Sequence, residues 1–312
     1  MEAFGRKKLF AIGILGRCST IMPCYLNINQ SFMNHQSAYK IIVPVRFKKS
    51  DRWAIAKSIT MANQMQAIIH VVYVVRTKTI FRYHPYQYKE EFALAKKNLI
   101  AIKQHYEPQL CKGASIEISI LHGNYLHELS AYIKLYKMDI MLIGLSSQYI
   151  WSIFRPLLSI HRICRHVHIP LLAIKSNGLA HHFKKIVLPL YMHLSMRQLR
   201  LAALLARSFK STVYLISVRQ TGINASVTTK LCQESLEILQ SLTTVPVQVL
   251  LLEGKYIAKA TMHFAKKINA DLIMIHAAKE FCMPGWWNKL TNKLIAYVSS
   301  IPVLSLSKDS TE

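Results

Sequence analysis

The sequence predicts an α/β protein built as two similar domains, each a parallel sheet covered by helices on both faces. Three observations carry that prediction. The chain repeats itself: Lys40-Ile41-Ile42-Val43-Pro44-Val45 returns as Lys185-Ile186-Val187-Leu188-Pro189-Leu190, Leu121-His122-Gly123 as Leu252-Glu253-Gly254, and Ile169-Pro170-Leu171-Leu172 as Ile301-Pro302-Val303-Leu304, in the same order. The apolar runs are short and apolar at every position, and amphipathic stretches alternate with them, which is the pattern of parallel strands buried on both faces. Finally, 312 residues that are 52% hydrophobic are enough for about two cored domains.

The elements follow in order. Residues 40–45 form a strand with a proline near its end, 51–64 a helix, and 67–75 a strand rich in β-branched residues. Residues 89–105 have helical periodicity, with Phe92, Leu94, Ala95, Leu99 and Ile102 largely on one face. A strand is expected at 115–121, a helix at 125–136, a strand at 138–144, a helix at 151–166 and a last strand at 170–174. The second half repeats the series, with strands at 184–190, 212–218, 247–252, 271–275 and 302–306. Its helices fall at 195–208, 226–242, 256–268 and 290–299. The domains are then 38–175 and 183–308, joined by a short linker that contains Ser176-Asn177-Gly178. Residues 1–37 stand outside the repeat. Arg6-Lys7-Lys8 and the apolar Leu9–Gly16 imitate a signal peptide, but at the short limit. The expectation is a disordered extension, or one that is not natively translated because synthesis begins at Met33.

Composition narrows the function. No apolar run approaches the roughly 18 residues of a membrane span. The six cysteines are scattered without a CxxC pair, which gives no zinc or disulfide framework and fits a cytoplasmic protein. Forty Lys+Arg against fifteen Asp+Glu leave a net charge of +25. Such a balance attracts nucleic acid, anionic membrane or acidic proteins without defining a site.

The order of motifs resembles the universal stress protein family in its tandem form. The residues that carry the resemblance are Val43-Pro44-Val45 and Leu188-Pro189-Leu190 at the first strands, and Leu121-x-Gly123 and Leu252-x-Gly254 before strands opening at Asp139 and Asp271. The closing Ile-Pro strands complete the set, and the likeness spans residues 40–306. It implies two doubly wound, five-stranded domains of the adenine nucleotide alpha hydrolase-like fold, packed as a pseudo-dimer through their last strands. Many members bind ATP with an acidic residue after the first strand and a Gly-x2-Gly-x9-Gly-Ser/Thr loop after the fourth. Here the acidic position holds Arg46 and Tyr191. Gly144 fits the first glycine, but Ser147, Leu157 and Leu158 follow it, and His276, Lys279, Lys289 and Leu290 stand in the second half. No cofactor is expected, and these departures put ATP binding in doubt.

Other residues offer alternatives. Aromatics fill the loops where phosphate would lie: Tyr149, Trp151 and Phe154 in one half, Phe281, Trp286 and Trp287 in the other. They either anchor a protein partner or fill the vacated cleft. Arg46, Lys48 and Lys49 lie where open α/β sheets bind ligands, so with Gly144 they could hold an anion. His161, Cys164, His166 and His168 match no metal-ligand spacing, and no metal site is expected. Asp139 and Asp271 read as turn residues, and no catalytic set stands out. Three functional readings remain: a non-enzymatic stress-response protein acting through an unidentified protein partner, an anion or nucleotide binder, and salt-dependent nucleic-acid binding. Homo-oligomerisation is open.

Overall fold

A computed structural model describes residues 38–76, 85–145, 163, 166–176, 182–190, 196–219, 225–253, 257–276 and 300–306. All of them lie within one compact unit, Ala38–Glu312. The first half runs β1 (Lys40–Val45), α1 (Lys49–Met65), β2 (Ile68–Arg76), α2 (Pro85–Tyr106), β3 (Ser115–Gly123), α3 (Tyr125–Tyr136), β4 (Ile140–Gly144) and β5 (Leu171–Ile174). The second runs β6 (Lys185–Leu190), α4 (Met196–Phe209), β7 (Thr212–Arg219), α5 (Ala225–Leu242), β8 (Val247–Glu253), α6 (Ile257–Lys267), β9 (Leu272–His276) and β10 (Val303–Leu306). The helices expected at 151–166 and 290–299 fall almost entirely outside the described residues.

All ten strands form one sheet in the order β3-β2-β1-β4-β5-β10-β9-β6-β7-β8. Each half is thus a doubly wound parallel unit, and the order is mirrored about the centre. At that centre β5 and β10 run antiparallel, with Val303 opposite Ala173 and Leu304 opposite Leu172. Every other pairing is parallel. The antiparallel seam makes the chain a pseudo-dimer of its own halves.

Strand alternation explains the two cores. In β1, Ile41, Val43 and Val45 face one core, and Ile42 faces the other. Both cores cross the seam: Leu172, Ile174, Leu304 and Leu306 share one, and Leu171, Ala173 and Val303 share the other. Fully burying each of the Leu, Ile and Val side chains among them stabilises by about 1.5–3 kcal/mol before entropy. The halves therefore hold together through hydrophobic area as well as through the β5–β10 ladder.

Local chemistry repeats as well. Gln66, Lys137, Lys210 and Asn269 take left-handed φ of 53°, 53°, 52° and 50° just beyond α1, α3, α4 and α6. After each, the next N–H reaches back to the helix: Ala67 to the Ala62 carbonyl, Met138 to Ile133, Ser211 to Ala206 and Ala270 to Ala265. These bonds satisfy the carbonyls left open at a helix end and turn the chain straight into the next strand. The Leu-x-Gly motif has a similar cause. Gly123 ends β3 at φ +140°, a conformation other residues avoid. Asn124 then caps α3, accepting hydrogen bonds from the Leu126 and His127 N–H groups.

Asp139 and Asp271 sit at the opposite end of the sheet from the ligand edge. The Asp139 carboxylate accepts from the Lys40 N–H at 2.7 Å, and Asp271 accepts from those of Lys184 and Lys185 at 2.8 and 3.0 Å. Lys40 Nζ donates to the Tyr136 carbonyl, and Lys185 Nζ to that of Ile268. Both halves fasten the start of their first strand with the same aspartate and lysine pair.

Candidate functional site

In an open α/β sheet, ligands bind at the strand C-termini where the strand order reverses. In the first half that crevice lies between β1 and β4, bordered by Arg46–Lys49 and by Gly144. The fold therefore brings Arg46, Lys48 and Lys49 to the same place as Gly144. Arg46 is half-buried, and Lys48 and Lys49 are exposed.

The loop is organised from within. The carboxylate of Asp51 accepts from the Arg46 N–H at 2.6 Å and the Lys48 N–H at 2.9 Å. The Asp51 N–H in turn donates to the Lys48 carbonyl at 3.0 Å. Asp51 is buried, in the first turn of a 17-residue helix. A negative charge there satisfies open backbone donors and opposes the positive end of the helix dipole. The next residue of the loop, Phe47, takes φ 57° and stacks on Tyr73 with ring centroids 4.8 Å apart. The Tyr73 hydroxyl donates to Glu91 of α2 at 2.9 Å. Beside the loop lies Ser50, 2% exposed, whose Oγ has no hydrogen-bond partner among the described residues.

Gly144 has a packing role here. A Cβ at this position would lie 1.8 Å from the Ser50 carbonyl oxygen and 2.4 Å from its carbon. The first turn of α1 rests directly on the end of β4, and the glycine is what lets it approach. In the second half β6 and β9 meet as β1 and β4 do, Ile186 opposite Leu272 as Ile41 is opposite Ile140. His276 then holds the register position of Gly144. There the buried Gln198 of α4 donates from Nε2 to the Met274 carbonyl of β9 at 3.1 Å. Tyr191, Ser147, Leu157, Leu158, Lys279, Lys289 and Leu290 lie outside the described residues, as do Trp151, Trp286 and Trp287 and the other loop aromatics. Of the histidine group only His166 and His168 are described, and no cluster able to hold a metal ion occurs among the described residues.

Sequence reasoning missed two buried ionisable groups and one acceptor. The acceptor is Asp51, whose signal is an acid three residues beyond the helix cap at Lys48. The first buried group is Lys57 of α1, 2% exposed, with Nζ 4.8 Å from the Phe183 ring centre across the seam between the halves. Burial lowers its pKa to about 8, against a smaller upward pull from Asp271.

The second is His70 of β2, also 2% exposed. Its Nδ1 lies 3.0 Å from the Tyr132 hydroxyl and 3.4 Å from Glu117, and its Nε2 has no partner among the described residues. Tyr132 is itself 2.8 Å from the Ser119 hydroxyl. Burial pushes the His70 pKa below 6.5, with Glu117 pulling upward and Lys40 downward. Below pH 6.5 the unfolded chain therefore binds a proton that the folded chain refuses, so stability falls as the pH drops toward the folded pKa. Chemical denaturation as a function of pH should show that slope, and His70→Gln should flatten it.

No protein-family model matches the chain, and no curated protein matches it significantly. Solved structures do. A universal stress protein from Archaeoglobus fulgidus is 15% identical, with a TM-score of 0.66 over 88% of this chain and 97% of that one. A structure from Pseudomonas aeruginosa assigned to the universal stress proteins is 14% identical, with a TM-score of 0.53 over 87% of this chain and 94% of that one. At these identities the likeness is one of fold, and it extends over both halves and nearly the whole length of each relative. With its two five-stranded units joined edge to edge, the chain has the tandem universal stress protein fold.

Proposed function

We propose that this chain is a non-enzymatic stress-response protein that acts in the cytoplasm through protein contacts, the nucleotide crevice of its first half being occupied by the chain's own carboxylate. The observation that carries this reading is the Asp51 carboxylate on the Arg46 and Lys48 amides. Phosphates bind such crevices through backbone N–H groups and a helix N-terminus. Two backbone donors that border this crevice, on the loop after β1, are already taken by a buried anion of the chain itself. A phosphate would have to displace that carboxylate or lie against it, and like charges at such range repel strongly where water is excluded.

The second reading, an anion site, is favoured by one observation: Lys48 and Lys49 are exposed at the mouth of the crevice. Isothermal titration of the full chain with Mg-ATP separates the two. No saturable heat is expected up to about 1 mM. Saturable binding in the micromolar range would overturn the leading reading in favour of the basic loop.

A further inference from the structure

We propose that strand β8 is a docking edge for a second copy of this chain, the two ten-stranded sheets joining antiparallel about Leu250. β8 ends the sheet and pairs only with β7 among the described residues. The other end of the sheet, β3, is better covered. There α2 and α3 both pack on the strand, whereas in the second half α5 packs on β8 and the counterpart of α3, helix α6, lies over β6 and β7. Helical cover on that face is thus displaced one strand inward, and β8 overhangs. On the opposite face, under α5, the side chains are less covered as well. Ile118 and Ile120 of β3 are half-buried against the core, while their counterparts Val249 and Leu251 are 39% and 45% exposed.

Edge strands are normally defended by charge, proline or a bulge, because their open N–H and C=O groups invite pairing. The seven residues of β8 carry one charge, Glu253, at the last position. β3 carries Glu117 near its middle.

The strand also complements itself. With a two-fold axis at Leu250, Val249 of each copy faces Leu251 of the other, Gln248 faces Leu252, and Glu253 faces Val247. Apolar pairs then lie at the centre, no like charges oppose each other, and the contact closes as a dimer. The chain already joins its own halves by antiparallel edge pairing at β5 and β10, so this contact would continue the same sheet. The net charge of +25 on each copy opposes association at a distance. Salt removes that opposition, since screening shortens from about 8 Å at physiological ionic strength to about 3 Å near 1 M. Added salt therefore strengthens the pairing.

Sedimentation velocity on the full chain at roughly 10–100 µM, from low salt to about 0.5 M, tests this together with hydrogen exchange. The expected result is a dimer that tightens with salt, with amides 247–253 gaining protection as concentration rises. Val249→Lys combined with Leu251→Lys should weaken dimerisation at least tenfold. Both positions are exposed, so the fold should survive. Where it does not, exchange in the wild-type chain decides alone. A monomer at all salts, association that weakens with salt, or a dimer without protection in 247–253 or indifferent to the folded double variant would overturn the proposal.

Discussion

Gly144→Ala is expected to destabilise the first half by at least about 3 kcal/mol, at or beyond the upper end of the usual range for overpacking. The added methyl would lie 1.8 Å from the Ser50 carbonyl oxygen, which is backbone. A side chain can swing aside, but this oxygen belongs to the first turn of α1, where Asp51 is tied to the loop by hydrogen bonds to Arg46 and Lys48. Relief requires the helix to lift off β4 and the loop to move with it. Denaturant titration should show the midpoint fall, and hydrogen exchange should place the loss in α1 and the loop. A drop of less than about 0.5 kcal/mol, the usual scale of a neutral surface change, would mean that α1 does not rest on Gly144.

Lys57→Met is expected to act in the opposite direction. Lys57 is buried between the halves, and its pKa of about 8 lies below the 10.5 of a free lysine. The unfolded chain therefore holds a proton more tightly, and between those two values stability rises with pH as the folded lysine is released from its charge. Below about pH 8 the buried charge costs about 3 kcal/mol relative to an unshifted lysine, from the size of the shift. Met keeps the stem, loses the charge and gives up the Phe183 ring together with the other contacts of the ammonium, so the expected gain at pH 7 is a part of that cost. The advantage should shrink as pH rises toward 10.5. Equal stability of the two proteins at pH 7, with parallel pH profiles, would contradict this account of Lys57.

The second half points to the origin of this lysine. Ala62 and Ala206 accept the same helix-ending hydrogen bond in the two halves, and five residues before each lie Lys57 and Leu201. Leu201 is a buried hydrophobic residue. Comparing the copies position by position would therefore have marked Lys57 as standing in a core position. A lysine on a helix reads as a solvated residue when each half is taken alone, and that is why it was missed.

Other parts of the fold were legible because their causes are local. Strands buried on both faces announce themselves as unbroken apolar runs, and every strand in the described residues falls within two residues of its expected bounds. The first helix begins at Lys49 rather than 51. Its first turn is polar, and its stabilising bond comes from a side chain reaching backward. The β5–β10 seam is not written in either short strand: pairing through the last strands followed only from the resemblance, and its antiparallel direction is seen only in the structure. His70 sits in a strand whose neighbours are all apolar, so alternation could not tell which face it takes. Arg46–Lys49 follow β1 directly, but the hydrogen bonding of that loop depends on Asp51, which lies in the first turn of α1 and enters only through the folded geometry.

The central claim, that the first crevice is closed to phosphate by its own carboxylate, is tested most directly at the two amides involved. Nuclear magnetic resonance can follow the Arg46 and Lys48 N–H signals of the full chain while Mg-ATP, and separately inorganic phosphate, is added. The account predicts that neither signal shifts saturably up to about 1 mM, the weak end of the affinity scale. Saturable movement of both signals at micromolar ATP would contradict it, because Asp51 would then have yielded those donors to the nucleotide.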